Sequence, residues 1–211
     1  QGARPFYIAA LWSHLKVPVV VITPRPGDAR RLYDQVLLWS DDESRVVHFP
    51  ESETLPFERL VSDLDTVQQR LRTLSALTTH GSRAPIVVAS TAAIAQKTMD
   101  KQTFVSCSHT LHKNQQIDLD QLLGDWRKMG YSFEPTVYSP GMAARRGGIL
   151  DIYPIGAPSP ARIELWGNEI ESIRLFDPDT QRSTDMVDSI HVVPAQETRP
   201  ALTQRGHLES L

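Results

Sequence analysis

Apolar residues in the first hundred positions follow two spacings in turn. Between Pro5 and Lys16 they recur at helical spacing, and Val17 to Ile22 then form a nearly unbroken β-branched run. This order predicts a helix followed by a strand that is buried on both faces at the centre of a parallel sheet. The same patterns predict helices over 28–39, 66–77 and 91–97, and strands over 46–49 and 86–89. Alternating strands and helices indicate right-handed βαβ units with helices on both faces of an open sheet.

The pattern changes after about Ser108. One helix is predicted over 119–129, followed by strands over 131–138, 149–153, 162–166, 170–176 and 190–193. The link Trp166-Gly167-Asn168-Glu169 suits a two-residue hairpin turn, because Gly and Asn tolerate positive φ. We therefore expect an α/β domain over residues 1–108, a smaller α+β domain over 109–199, and a final segment over 200–211.

Composition narrows the functional classes. The net charge is −3, and Lys and Arg are scattered without the basic stripe that phosphate-backbone binding needs. Cys107 is the single cysteine, so no internal disulfide can form, and no apolar run is long enough to span a bilayer. These features favour a cytoplasmic protein. Because the chain opens on Gln1 rather than Met, we expect it to be part of a longer protein.

A phosphate loop would lie at the start of the first helix. There the sequence is Gln1-Gly2-Ala3-Arg4-Pro5-Phe6. Pro5 removes one backbone N–H, and no Lys-Ser or Lys-Thr pair follows in this helix to bind phosphate and Mg²⁺. We expect no nucleotide hydrolysis and no bound cofactor here.

His109 and His112 are the closest pair among seven histidines. Histidines three apart on a helix can share a zinc ion, but no nearby Cys or carboxylate completes a tetrahedral set. Cys107 has no activating neighbour in the sequence and is interpreted as a structural thiol. We predict neither a metal site nor a catalytic residue.

The most distinctive segment runs from Arg145-Arg146-Gly147-Gly148 to Pro154, where paired arginines precede a tight turn. Downstream, Arg162 to Trp166 alternates, which places Arg162, Glu164 and Trp166 on one strand face. Exposed Arg and Trp together are typical of an interaction hot spot. Equally compatible with this pattern is a structural role, in which Trp166 covers a second core layer and the arginines pair with Glu164, Glu169 or Glu171.

These motifs resemble a known family. Residues 53–57 (Glu-Thr-Leu-Pro-Phe), 69–71 (Gln-Arg-Leu), 145–154 and 162–177 look like the N-terminal module of bacterial transcription-repair coupling factor, which is itself similar to the start of the excision-repair protein UvrB. The Glu-Thr-Leu-Pro-aromatic stretch and the Gly2 to Pro5 segment favour the coupling factor. The resemblance implies a degenerate RecA-like first domain, a second domain that docks the damage-recognition ATPase UvrA, and a final segment that returns to the first domain.

Carried onto matching positions, the resemblance implies that Arg146, Arg162 and Trp166 contact UvrA, with Arg145 as a weaker candidate. Trp166 stands where such proteins often have Phe. ATP binding, DNA translocation and RNA polymerase binding are expected of later domains of the family. A fragment of UvrB itself, an ATP-dependent enzyme that verifies DNA damage, is the alternative, and an intact Gly-Lys-Thr upstream of Gln1 would favour it. A nucleotide-independent nucleic-acid binder is a third hypothesis, which the charge argues against.

Overall fold

The structure, a computed structural model, describes residues 2–15, 17–52, 64–78 and 84–197. Its contacts divide the chain into two units, Gln1–Thr98 and Met99–Leu211. The division therefore lies between residues 98 and 99, whereas the sequence pattern places it at 108. A short helix over Lys101–Cys107, which the sequence did not predict, accounts for the difference because it belongs to the second unit.

In its described residues, the first unit forms a three-stranded parallel sheet with helices on both faces. Its elements are α1 (Arg4–Leu15), β1 (Val19–Thr23), α2 (Pro26–Leu37), a 3-10 turn (Glu43–Arg45), β2 (Val46–Phe49), α3 (Leu64–Thr78), β3 (Ile86–Ser90) and α4 (Thr91–Ala95). The strands follow the order β1-β3-β2. On one face α1 and α2 pack through Trp12, Ala29 and Val36, and on the other α3 and α4 pack through Leu74 and Ala93. The predicted α/β class is confirmed.

The prediction of which strand lies at the centre of this sheet is wrong. We expected the run from Val17 to Ile22 to form a central strand buried on both faces, but β1 is an edge of the described sheet, and Val20 and Ile22 are about half exposed. The central strand is β3, in which all five residues are buried. A β-branched apolar run reports that a segment prefers a strand, but it carries no information about strand order.

The second unit is built around a six-stranded sheet. Its elements are α5 (Lys101–Cys107), β4 (His109–His112), α6 (Leu119–Met129), β5 (Ser132–Phe133), β6 (Met142–Arg146), β7 (Ile149–Ile152), β8 (Ala161–Trp166), β9 (Glu169–Phe176), β10 (Ser183–Met186) and β11 (Ser189–Val192). The order is β10-β9-β8-β7-β6-β5, antiparallel except for the parallel β5–β6 pair. A separate antiparallel pair joins β4 to β11.

Local sequence signals set the helix ends in this unit. The Asp100 side chain accepts a hydrogen bond from the Thr103 N–H and caps α5, and Asp118 caps α6 in the same way through Gln121. Gly130 ends α6 with a φ of 97°, in the left-handed region that favours glycine. The α6 boundaries predicted from the sequence are confirmed.

The predicted strand over 131–138 is too long, because only Ser132–Phe133 form β5. Pro135 lies two residues beyond this strand and has no N–H to donate to a ladder, so the pairing ends early. Among the described residues, none of the helices has both the length and the apolar character needed to cross a membrane.

Candidate docking site

One face of the six-stranded sheet carries the charged residues that the sequence singled out. The register aligns Asp151 of β7 with Arg162 of β8, and Arg162 with Arg174 of β9. Because side chains alternate along a strand, residues two apart on each strand share that face. We call this set the arginine face, and it comprises Arg146, Asp151, Arg162, Glu164, Trp166 and Arg174.

A buried carboxylate lies at the centre of the arginine face. Asp151 has no solvent exposure, and its Oδ1 accepts a hydrogen bond from Arg162 Nε at 2.7 Å. Its Oδ2 accepts from Arg162 Nη2 at 2.9 Å and from Arg146 Nη2 at 2.5 Å. Arg162 therefore grips the carboxylate with two parallel bonds, the strong geometry of a guanidinium and carboxylate pair. This bonding to Asp151 raises the pKa of the Arg162 guanidinium.

A second ion pair lies beside the first. Glu164 accepts a hydrogen bond from the Ser172 hydroxyl at 2.6 Å and contacts Arg174 Nη2 at 3.3 Å. Both of these charged side chains are partly exposed, so this pair is more strongly screened by solvent than the Asp151 pair. Glu169, which is paired with Trp166 in the register, adds a third carboxylate on this side of the sheet, so its three arginines are matched by three acids.

The arginine face is buried at one end of its strands and exposed to solvent at the other, which we call the open end. At one end Val137, Ala144 and Phe176 form a small buried cluster, and the Arg162 guanidinium stacks over the Phe176 ring at 4.7 Å. Only 17% of the Arg162 side chain is exposed. At the other end, where β6 and β8 terminate, the Arg146 side chain is about half exposed and Trp166 is 80% exposed.

Two tight turns shape the open end. Gly147 and Gly148 join β6 to β7, and Gly167 and Asn168 join β8 to β9. The hairpin at Trp166 is confirmed, but only its glycine has positive φ, at 62°. A Cβ on Gly148 would lie 3.2 Å from the Leu165 carbonyl oxygen, while the Leu165 N–H donates to the Gly148 carbonyl at 2.8 Å. Glycine thus lets the first turn pass close to β8, next to Trp166.

The four residues expected to contact UvrA do not all come together. Arg146 and Arg162 meet at Asp151, and Trp166 lies further along β8 on the same side by alternation. Arg145 alternates to the opposite side of β6, where its Nη1 lies 3.8 Å from a carboxylate oxygen of Asp120 in the first turn of α6. The structure therefore separates Arg145 from the other three.

The structural role considered for these residues fits only in part. Trp166 is too exposed to cover a second core layer. Two of the arginines do pair with acids, but their partner is Asp151, which the sequence had not suggested. An aspartate in the run Ile149-Leu150-Asp151-Ile152 was the available signal, because a charge inside a buried strand needs a partner.

The phosphate-loop position and the histidine pair considered in the sequence also have defined places in the structure. Pro5 lies in the first turn of α1, where it cannot donate an N–H. His109 and His112 lie on a strand, so their spacing of three residues directs them to opposite faces. His109 Nε2 accepts a hydrogen bond from the buried Trp126 indole at 3.1 Å, and burial lowers the His109 pKa. No cluster of three or more metal-ligating side chains occurs in the described part of the chain.

Cys107, the thiol interpreted as structural, is partly buried. Burial raises its pKa, which disfavours the reactive thiolate. The groove near it, about 580 Å³ in volume, lies between α5, β4 and α6 and is lined by side chains such as His109, Gln121 and Asp125.

Comparison with known protein sequences identifies relatives of this chain. Residues 110–197, which include the whole arginine face, match the UvrB interaction domain family. The chain is 34% identical over 196 residues to a transcription-repair-coupling factor of Bacillus subtilis, a match that covers 93% of this chain and 16% of that relative. It is 32% identical over 180 residues to the Escherichia coli factor, covering 85% of this chain and 15% of the relative.

A third factor, from Myxococcus xanthus, is 30% identical over 214 residues and covers 99% of this chain and 18% of the relative. The resemblance inferred from the motifs is thereby confirmed. The chain spans less than a fifth of the length of these three relatives.

Proposed function

We propose that this chain, as a UvrB-like module of the transcription-repair-coupling factor family, is a non-catalytic adaptor that recruits the excision-repair protein UvrA. The observation that carries the proposal is the open end of the arginine face. There Trp166, which is 80% exposed, ends β8 and Arg146, which is half exposed, ends β6, both within the UvrB interaction domain. In the complete protein, the module would bring UvrA to RNA polymerase stalled at DNA damage.

The chemistry of the open end suits protein recognition. Trp and Arg are enriched among residues that dominate binding energies, since Trp offers a large rigid surface and Arg offers directed charge contacts. Arg146 and Trp166 project from the ends of paired strands rather than from long loops. Such positions lose little conformational freedom on binding. Arg162, which is mostly buried, would contribute chiefly by holding Asp151.

The adaptor role also rests on the sequence at the start of α1. Pro5 lies there and no Lys-Ser or Lys-Thr pair follows it in this helix, which argues against phosphate binding at α1. We propose that the module works without a bound cofactor, and that ATP, DNA and RNA polymerase are bound by other parts of the complete protein.

Binding to purified UvrA tests the proposal. The 211-residue chain and its Trp166→Ala and Arg146→Ala variants would be titrated into UvrA by calorimetry. Each truncation of a hot-spot residue should weaken binding by about 1 to 4 kcal/mol. The Arg146 effect should shrink as salt rises, because screening weakens exposed charge contacts.

Trp39→Ala provides the matched control, because Trp39 is also exposed but belongs to the first unit. It should leave the affinity unchanged. Equal affinity of all the variants would refute the site, and no binding by the unchanged chain would refute the adaptor role. Titration with Mg-ATP separates the alternative: measurable nucleotide binding would favour a UvrB-like enzyme.

A further inference from the structure

Asp151 differs from the other acidic residues that the structure describes. It is the one carboxylate among them in the buried class, and it has no exposed side-chain area. A partner protein therefore cannot reach it directly. Nevertheless it touches two of the three arginines of the arginine face.

A carboxylate in this position holds its partners firmly. Burying an unpaired charge is strongly unfavourable, so Asp151 is tolerated only with its arginines in place. Arg162 supplies two hydrogen bonds from one side, and the Phe176 ring under its guanidinium restricts it further. The carboxylate is thus fixed in orientation before Arg146 contacts it.

The fixed Asp151 carboxylate holds the Arg146 side chain in one position. It crosses diagonally from β6 to Asp151 on β7, and only one of its terminal nitrogens is bonded there. The rest of its side chain remains about half exposed. An arginine held in this way loses less rotamer freedom on binding than a free one.

We infer that Asp151 is a positioning residue of the docking site: held in place by Arg162, it acts on the partner through Arg146 without touching the partner. The inference rests on the proposed function. An acid buried beneath two arginines would then be part of the recognition machinery although it is absent from the accessible surface.

The test is a double-mutant cycle on UvrA binding with the 211-residue chain. Asp151→Asn keeps the size of the side chain but removes its charge and one acceptor oxygen. Binding should weaken by about tenfold, the order expected for freeing one long side chain. In an Arg146→Ala background the same change should weaken binding by less than about threefold, because its main target is gone.

Asp125→Asn is the matched control. Asp125 is an acid of the same unit, but it lies in α6 and pairs with Lys128 rather than with an arginine of the arginine face. The same substitution there should change the affinity by less than about twofold. An equal loss on Asp151→Asn with and without Arg146 would overturn the inference and indicate a general structural effect.

A measurement on the unchanged chain covers the case in which Asp151→Asn fails to fold. Nuclear magnetic resonance of guanidinium N–H groups should show Arg146 exchanging its protons with water more slowly than Arg182, which is exposed. Equal exchange would overturn the inference. If the unchanged chain fails to bind UvrA, both the inference and the proposed function fall. If it binds and Asp151→Asn binds equally well, only the inference falls.

Discussion

Replacing Arg162 by Met should destabilise the second unit more than replacing any other arginine of the arginine face. The change removes both bonds of the guanidinium fork and leaves the buried Asp151 carboxylate with Arg146 alone. Breaking a buried pair by removing one partner costs about 3 to 5 kcal/mol. Because Arg146 stays bonded and Arg162 retains some exposure, we expect about 2 to 4 kcal/mol here.

Amide hydrogen exchange in increasing urea measures this loss within the second unit. The amides of Ile163 and Ile173 report on it directly, since these fully buried residues are paired across β8 and β9. Their free energy of opening should fall by the stated amount. Because the exchange of these amides is measured within the second unit, the result does not assume that the two units unfold together.

Arg174→Met is the control. Arg174 pairs with Glu164, which is partly exposed, at 3.3 Å, so its loss should cost about 0 to 1 kcal/mol. If Arg162→Met costs less than about 1 kcal/mol, or no more than Arg174→Met, the reasoning that the buried ion pair organises this face is refuted.

Two further predictions concern buried hydrogen bonds in the second unit. Tyr131→Phe leaves the Val193 carbonyl without the phenol that donates to it at 2.8 Å, so urea unfolding should show a loss of about 1 to 3 kcal/mol. Burial raises the Tyr131 pKa, so the stability that this phenol contributes should persist below about pH 10 and decline above it. A free energy of unfolding that falls as steeply with alkaline pH in Tyr131→Phe as in the unchanged chain would contradict this. His109 has a lowered pKa, so its folded form binds fewer protons, and stability should be full above about pH 6.5 and fall as the pH drops. His109→Gln should reduce that acid slope in urea midpoints measured from pH 7.5 to 5; a slope as steep in the variant as in the unchanged chain would contradict a lowered His109 pKa in the folded protein.

The sequence was sufficient for elements with strong periodicity or clear boundaries. The bounds of β2 and α6 agree with prediction, and the alternation along β8 placed Arg162 and Trp166 on one face. By contrast, β10 was not predicted, because its four residues are all exposed and show no apolar pattern. Strand β4 was missed as well, since its partner β11 lies about eighty residues further along the chain.

The candidate site shows the same limit. Sequence identified Arg146, Arg162 and Trp166, but not the carboxylate that joins the first two. The pairing of Asp151 with Arg162 depends on the register of β7 against β8, which is fixed by packing on both faces of the sheet. Arg145 and Arg146 look equivalent in sequence, and only the position of β6 in the sheet shows which of them lies on the arginine face.

Hydroxyl-radical footprinting of the complex with UvrA tests the central claim most directly. Trp166 is 80% exposed in the free chain and Trp39 is 56% exposed, so both should be oxidised readily when the chain is alone. On addition of saturating UvrA, oxidation of Trp166 should fall sharply while that of Trp39 stays unchanged. A complex that forms with Trp166 still oxidised at its original rate would contradict docking through the arginine face.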